Sequence, residues 1–96
     1  VISRKIGKNE FIVWNGLRVL IIREFHREIE NVNVDIVLVA NNGITSISQL
    51  DNMKFERIII DDTNRSYIHK KLLNQAHDKA LNVISLPLQG SYTLVI

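Results

Sequence analysis

Val34-Asp35-Ile36-Val37-Leu38-Val39-Ala40-Asn41-Asn42-Gly43 carries the reading of the fold. Five consecutive apolar residues follow one carboxylate and stop at an Asn-Asn-Gly turn. A short unbroken apolar run bounded by turn residues predicts a strand buried on both faces and feeding a loop. A second run of this kind, Phe55-Glu56-Arg57-Ile58-Ile59-Ile60, stops at Asp61-Asp62-Thr63-Asn64, and Val83-Ile84-Ser85-Leu86 is a third.

Between these runs lie segments suited to helices. Residues 46–54 predict a short helix with Ser46 or Ser48 near its N-cap and Ile47 and Leu50 inward. Residues 65–81 predict the longest helix, opened by Asn64 or Ser66, with Leu72, Leu73, Ala76 and Ala80 as its apolar stripe. Asn82 is its expected stop. Strands alternating with helices favour parallel pairing through right-handed crossovers.

Before residue 34, Phe11-Ile12-Val13-Trp14 and Leu17-Arg18-Val19-Leu20-Ile21-Ile22 flank Asn15-Gly16. Two β-rich runs joined by Asn-Gly predict a hairpin with a type I′ turn, since both residues accept positive φ. Residues 23–33 are polar and suit one or two helical turns. Past residue 86, Gln89-Gly90-Ser91 reads as a turn and Tyr92–Ile96 as a closing strand. The expected architecture is α/β: a mixed β-sheet with packed helices.

Composition bounds the function. The chain has 96 residues, 46% hydrophobic and 23% charged, which suits one globular domain. With no cysteine, thiolate metal sites, disulfides and cysteine nucleophiles are excluded. Net charge is +2, all of it from residues 1–33, where six basic groups meet four acidic ones. Such an excess does not by itself establish nucleic-acid binding. No apolar stretch approaches the about 18 residues of a membrane span. The chain opens Val1-Ile2-Ser3-Arg4 without Met, and we expect a single domain over 1–96, excised from a larger protein.

Candidate chemistry concentrates after the strands. Asn41-Asn42-Gly43 and Asp61-Asp62-Thr63-Asn64 follow strands expected to be parallel neighbours, so both loops lie on the carboxyl edge where open α/β sheets bind ligands. Read functionally, they share a pocket rim; read structurally, Asn, Asp and Gly are what turns require. Asp61-Asp62 offers oxygen ligands to a hard cation, but adjacent carboxylates point apart in a strand, and Asp62 or Asn64 suits a helix cap better. His26, His69 and His77 fall in no zinc-binding spacing. His69 lies within the apolar stripe of the long helix, where a packing role competes with a ligand role. Arg18, Arg23, Arg27, Lys5 and Lys8 near Trp14 suit single-stranded nucleic acid, against a core or edge role for the tryptophan.

Taken in order, several segments resemble a known family. Val34 to Gly43 resembles the strand and loop that end in His-His-Gly in metallo-β-lactamase-like domains. Arg57-Ile58-Ile59-Ile60 resembles the following strand, Asn64-Arg65 an Asn-Arg pair ahead of a helix, and Gln89-Gly90 with its apolar strand a Gln-Gly-Ala ending. The combination, over about residues 11–96, resembles the C-terminal domain of the ComEC family, inner-membrane competence channels that pass single-stranded DNA. The resemblance implies the second half of a metallo-β-lactamase-like fold.

Departures from the family pattern shape the functional expectation. The His-x-His-x-Asp-His motif has no counterpart. Asn41-Asn42 stands at the His-His position and Arg23-Glu24 at that of the bridging Asp, and only His69 falls near a family ligand. Dinuclear hydrolysis needs several His and carboxylate ligands. The resemblance therefore implies a truncated, degenerate and non-catalytic accessory domain of a membrane channel, structural or DNA-guiding, with no cofactor and no catalytic residue. Asn41, Asn42, Asn64 and Arg65 form its expected nucleic-acid or ligand rim, and Arg65 is best suited to a phosphate. Expected partners are single-stranded DNA, the rest of the channel, and a second copy through a free sheet edge at hairpin 11–22 or strand 92–96. A residual metal-dependent phosphodiesterase using Glu24, Asp61, Asp62 and His69, and an unrelated α/β interaction module, are the alternatives.

Overall fold

The computed structural model describes residues 2–85. Six strands form one sheet in chain order: β1 (Ile2–Ile6), β2 (Asn9–Trp14), β3 (Leu17–Ile22), β4 (Ile36–Val39), β5 (Arg57–Ile60) and β6 (Val83–Ser85). β1, β2 and β3 are antiparallel, and β3 through β6 are parallel. The expected α/β mixed sheet is present. The turn 89–91 and strand 92–96 lie outside the described residues.

Strands β2 and β3 pair up to Trp14 and Leu17, leaving only Asn15 and Gly16 between them. Both have positive φ, 52° and 79°, as the type I′ turn requires. The hairpin is not a sheet edge, however, because β1 covers β2 and β4 covers β3. Sequence reasoning passes over β1 because Ser3, Arg4 and Lys5 are exposed and break any apolar alternation. Its signal is Gly7-Lys8, a two-residue turn with Gly7 at positive φ.

Each parallel strand enters the sheet beside the one before it. Right-handed crossovers then put every connection on the same face. The connections are a 3-10 turn at Arg27–Ile29, another at Ile47–Leu50, and helix α1 (Ser66–Asp78). Their Ile29, Ile47, Leu50, Ile68, Leu72 and Ala76 pack with Leu20, Ile22, Val37, Val39, Ile58 and Ile60 in one core cluster. Strand alternation sends Val19, Ile36, Leu38, Ala40 and Ile59 to the opposite face as a second cluster.

Both helical expectations need shortening. Residues 46–54 form only the 3-10 turn, held by a capping box between Ser46 and Gln49. Its serines are mediocre helix formers, and the Asp51-Asn52 pair stops it. Helix α1 ends at Asp78 rather than 81. Ala80 takes φ +56°, Leu81 N–H donates to Ala76 O at 2.9 Å, and Ala80 N–H donates to His77 O at 3.0 Å. This is the left-handed C-terminal motif that usually uses glycine. Ala80 therefore leaves the apolar stripe and is exposed.

Candidate functional site

The loops after β3, β4 and β5 meet at the carboxyl edge of the parallel strands. β4 and β5 stop at turn residues because the chain must reverse there. Asn41 and Asn42 both adopt left-handed backbone, φ 50° and 57°. Asn tolerates that region at little cost. Gly43 then passes so close to β3 that a Cβ would stand 2.3 Å from Ile22 O.

Side chains lace the two rim loops together. Asn41 N–H donates to Thr63 Oγ1 at 2.7 Å, and Thr63 donates in turn to the carboxylate of Asp61, which is buried. Asn42 N–H donates to Asn64 Oδ1 at 2.8 Å, and Arg65 N–H donates back to Asn42 Oδ1 at 2.7 Å. Asn64 Nδ2 donates to Val39 O at 2.9 Å and to Asp61 O at 2.8 Å. The structure thus brings Asn41, Asn42, Asn64 and Arg65 into one rim. Asn64 is only 5% exposed, with its amide committed on both sides, while Asn41 and Arg65 are exposed.

This bonding also corrects the expected helix cap. Neither Asp62 nor Asn64 caps α1: the N-cap is Arg65, with no side-chain cap bond, and Ser66 is the first helical residue. The amide of Asn64 turns inward instead, adding a second donor to Val39 O and Asp61 O beside the backbone N–H groups of Asp61 and Asn64.

A third loop joins the edge through Asn9, which sequence reasoning does not single out. Asn9 is 1% exposed. Its Oδ1 accepts from Arg23 N–H at 2.7 Å and Glu24 N–H at 2.9 Å, and its Nδ2 donates to Glu24 O at 2.5 Å. The clamp fixes the loop after β3 just where an apolar strand gives way to Arg23-Glu24. Nothing local in Lys8-Asn9-Glu10 announces it, since the partners lie fourteen and fifteen residues on.

His69 is half-buried on α1, and its Nε2 lies 2.6 Å from Ser85 Oγ at the end of β6. The expected basic surface around Trp14 divides instead. Trp14 is exposed at the hairpin end beside Arg18, which pairs with Asp35 at 3.5 Å. Arg23 sits at the other end of β3, against Glu10 at 3.8 Å and Lys8 O at 3.2 Å. The backbone N–H of Arg18 donates to Asp35 Oδ2 at 2.8 Å. That bond first, and the Arg18 side chain second, hold the Asp35 carboxyl below its ordinary value.

A dinuclear metal centre does not fit these residues. The Asn41 and Asn42 side chains are neutral amides, and that of Asn42 accepts from a backbone N–H. Among the described residues no three of His, Cys, Asp and Glu stand together. None of the described helices is long and apolar enough to cross a membrane.

The family model for the ComEC C-terminal domain matches residues 3–96. No curated protein matches, and no solved structure does.

Proposed function

The chain belongs to the ComEC C-terminal domain family, and from that premise we propose that it serves a DNA-uptake channel as a non-catalytic accessory domain that frames and guides single-stranded DNA. On this reading it is a degenerate relative of metallo-β-lactamase-like domains and a single unit of a larger membrane protein. One observation carries the proposal. At the edge where α/β sheets hold ligands, the side chains of Asn9, Asn42 and Asn64 are spent on backbone groups of neighbouring loops. Such an edge is a rigid frame rather than a reactive pocket. Arg65 and Asn41 remain as its outward groups, and a guanidinium can grip two phosphate oxygens.

The test is metal loading followed by a cleavage assay. The purified chain is exposed to Zn²⁺ and Mn²⁺, desalted, and measured by elemental mass spectrometry, then incubated with labelled single- and double-stranded oligonucleotides. We expect no retained ion and intact oligonucleotides. A tightly bound ion lost in His69→Ala, together with metal-stimulated cleavage, would replace this reading with a phosphodiesterase.

A further inference from the structure

Helix α1 begins at the rim and carries a face the rim does not use. Tyr67, Lys70, Lys71 and Asn74 fall at i, i+3, i+4 and i+7, which places them on one side of a helix. All four are exposed, Tyr67 by 65%. The buried side is Ile68, Leu72 and Ala76, opposite the stripe.

Charge on this stretch is one-sided. Residues 63–77 contain Arg65, Lys70 and Lys71 and no carboxylate. None of the three cations joins an ion pair among the described residues. That is unlike Arg18, Arg23 and Lys79, each of which faces an acid. A solvated helix surface usually alternates charges at four-residue spacing. Here two adjacent ammonium groups stand beside an open phenol ring, and the nearest acid on this face, Asp78, lies seven residues past Lys71 at the end of α1.

The helix cannot easily turn this face away. Gln75 Oε1 accepts from Ile47 N–H at 2.9 Å, and His69 is bonded to Ser85 at the far side. Lys79 Nζ donates to Asp51 at 2.8 Å. At its start, Arg65 N–H is held by Asn42. The stripe is therefore fixed in direction, and the exposed Arg65 precedes it at the N-cap of α1.

We propose that the outer face of α1, with Tyr67 as a stacking platform and Lys70, Lys71 and Arg65 as phosphate contacts, is a binding track for single-stranded DNA. The assignment rests on the DNA-guiding reading above and locates it. An aromatic ring flanked by cations binds single strands without sequence preference, because every base has a stacking face. A duplex hides those faces, so the ring selects the unpaired strand.

The experiment is fluorescence anisotropy of a labelled oligothymidylate with the full chain, titrated from about 50 to 200 mM salt. Tyr67→Ala should weaken binding about tenfold, and Tyr67→Trp should restore it. Lys70→Ala combined with Lys71→Ala should lower the slope of log affinity against log salt by about 1.4. Ser3→Ala, exposed on β1 at the opposite edge of the sheet from the strands α1 packs against, should leave affinity unchanged. Thermal melts check that the exposed substitutions keep the fold. Wild-type binding that these α1 variants leave intact would overturn the track while sparing the DNA-guiding reading. Equal affinity for a matched duplex would overturn the stacking role of Tyr67. No oligonucleotide binding by wild type at low salt would overturn both.

Discussion

Asn64 accepts the backbone N–H of Asn42 across 2.8 Å, joining the loop after β4 to the loop after β5. The same side chain donates to Val39 O, the last residue of β4, so one amide serves both ends of a turn. Arg65 follows directly and begins the approach to α1. The direction in which that helix leaves the sheet is therefore set at Asn64.

Asn64→Ala should be strongly destabilising. The substitution strands Asn42 N–H and leaves Val39 O and Asp61 O without their side-chain donor, in a site that is nearly closed to water. Val39 O keeps the Asp61 N–H at 3.2 Å and Asp61 O the longer Asn64 N–H at 3.5 Å, so the stranded Asn42 N–H dominates the loss. An unsatisfied buried group costs about 1–3 kcal/mol, and the total should be about 2–3 kcal/mol. Urea unfolding checks it through a lower midpoint at unchanged slope. Asn64→Asp should fare no better, since a carboxylate cannot donate to either carbonyl. A variant within ~0.5 kcal/mol of wild type would mean that the rim loops hold without this amide.

Gly43→Ala tests the contact between the β3 and β4 loops. The added Cβ would meet Ile22 O at 2.3 Å and Arg23 C at 2.9 Å. Both neighbours are backbone, and Ile22 O already accepts from Ala40 N–H at 2.9 Å. No side chain can swing aside, so the cost should be about 3 kcal/mol or more, at the upper end of overpacking. Poor soluble yield with a sharply lower melting temperature is the expected result. Wild-type stability would refute the close approach.

Much of this frame was legible in the residues. The apolar runs at 36–40 and 58–60, short and bounded by turn residues, pointed to buried strands, and Asn15-Gly16 named its own turn. Asn41-Asn42 and Asp61 to Asn64 shared an edge because parallel neighbours must end together. What stayed hidden was whatever depends on register and on long-range partners. Asn9 is polar in sequence and buried in the fold because it fills the gap beside Arg23 and Glu24. β1 carries no apolar face to announce it. Asn64 read as a helix cap because local spacing cannot show that Val39 O lies within reach.

Asp35 makes stability depend on pH. Its folded carboxyl lies below the ordinary value of 3.8 because Arg18 donates to it from the backbone and the side chain. A group with a depressed folded value stabilises the native state above its unfolded value, and that contribution is lost as pH falls through the folded one. Wild type should therefore gain over Asp35→Asn above about pH 4, with the gap closing in more acidic buffer. The amide keeps an acceptor for Arg18 N–H, so the comparison isolates charge. Urea midpoints of the two proteins across an acid series measure it, and parallel curves would show that the pair contributes nothing.

Ala80→Gly should raise stability, an unusual outcome for a substitution that removes atoms. Ala80 holds φ +56° to close α1, where a Cβ crowds the following carbonyl. Leu81 N–H to Ala76 O and Ala80 N–H to His77 O both need that turn, so the strain persists in the native state. Glycine relieves it but also loosens the unfolded chain, which offsets part of the gain. The balance should favour glycine by about 0.5–1 kcal/mol, as at other helix C-termini in left-handed backbone. In a domain of this length that is roughly 3–6 °C in melting temperature. Ala76→Gly, inside the helix and fully buried, should move the other way and calibrate the measurement. A lower melting temperature for Ala80→Gly would mean that α1 does not end through a left-handed residue at this position.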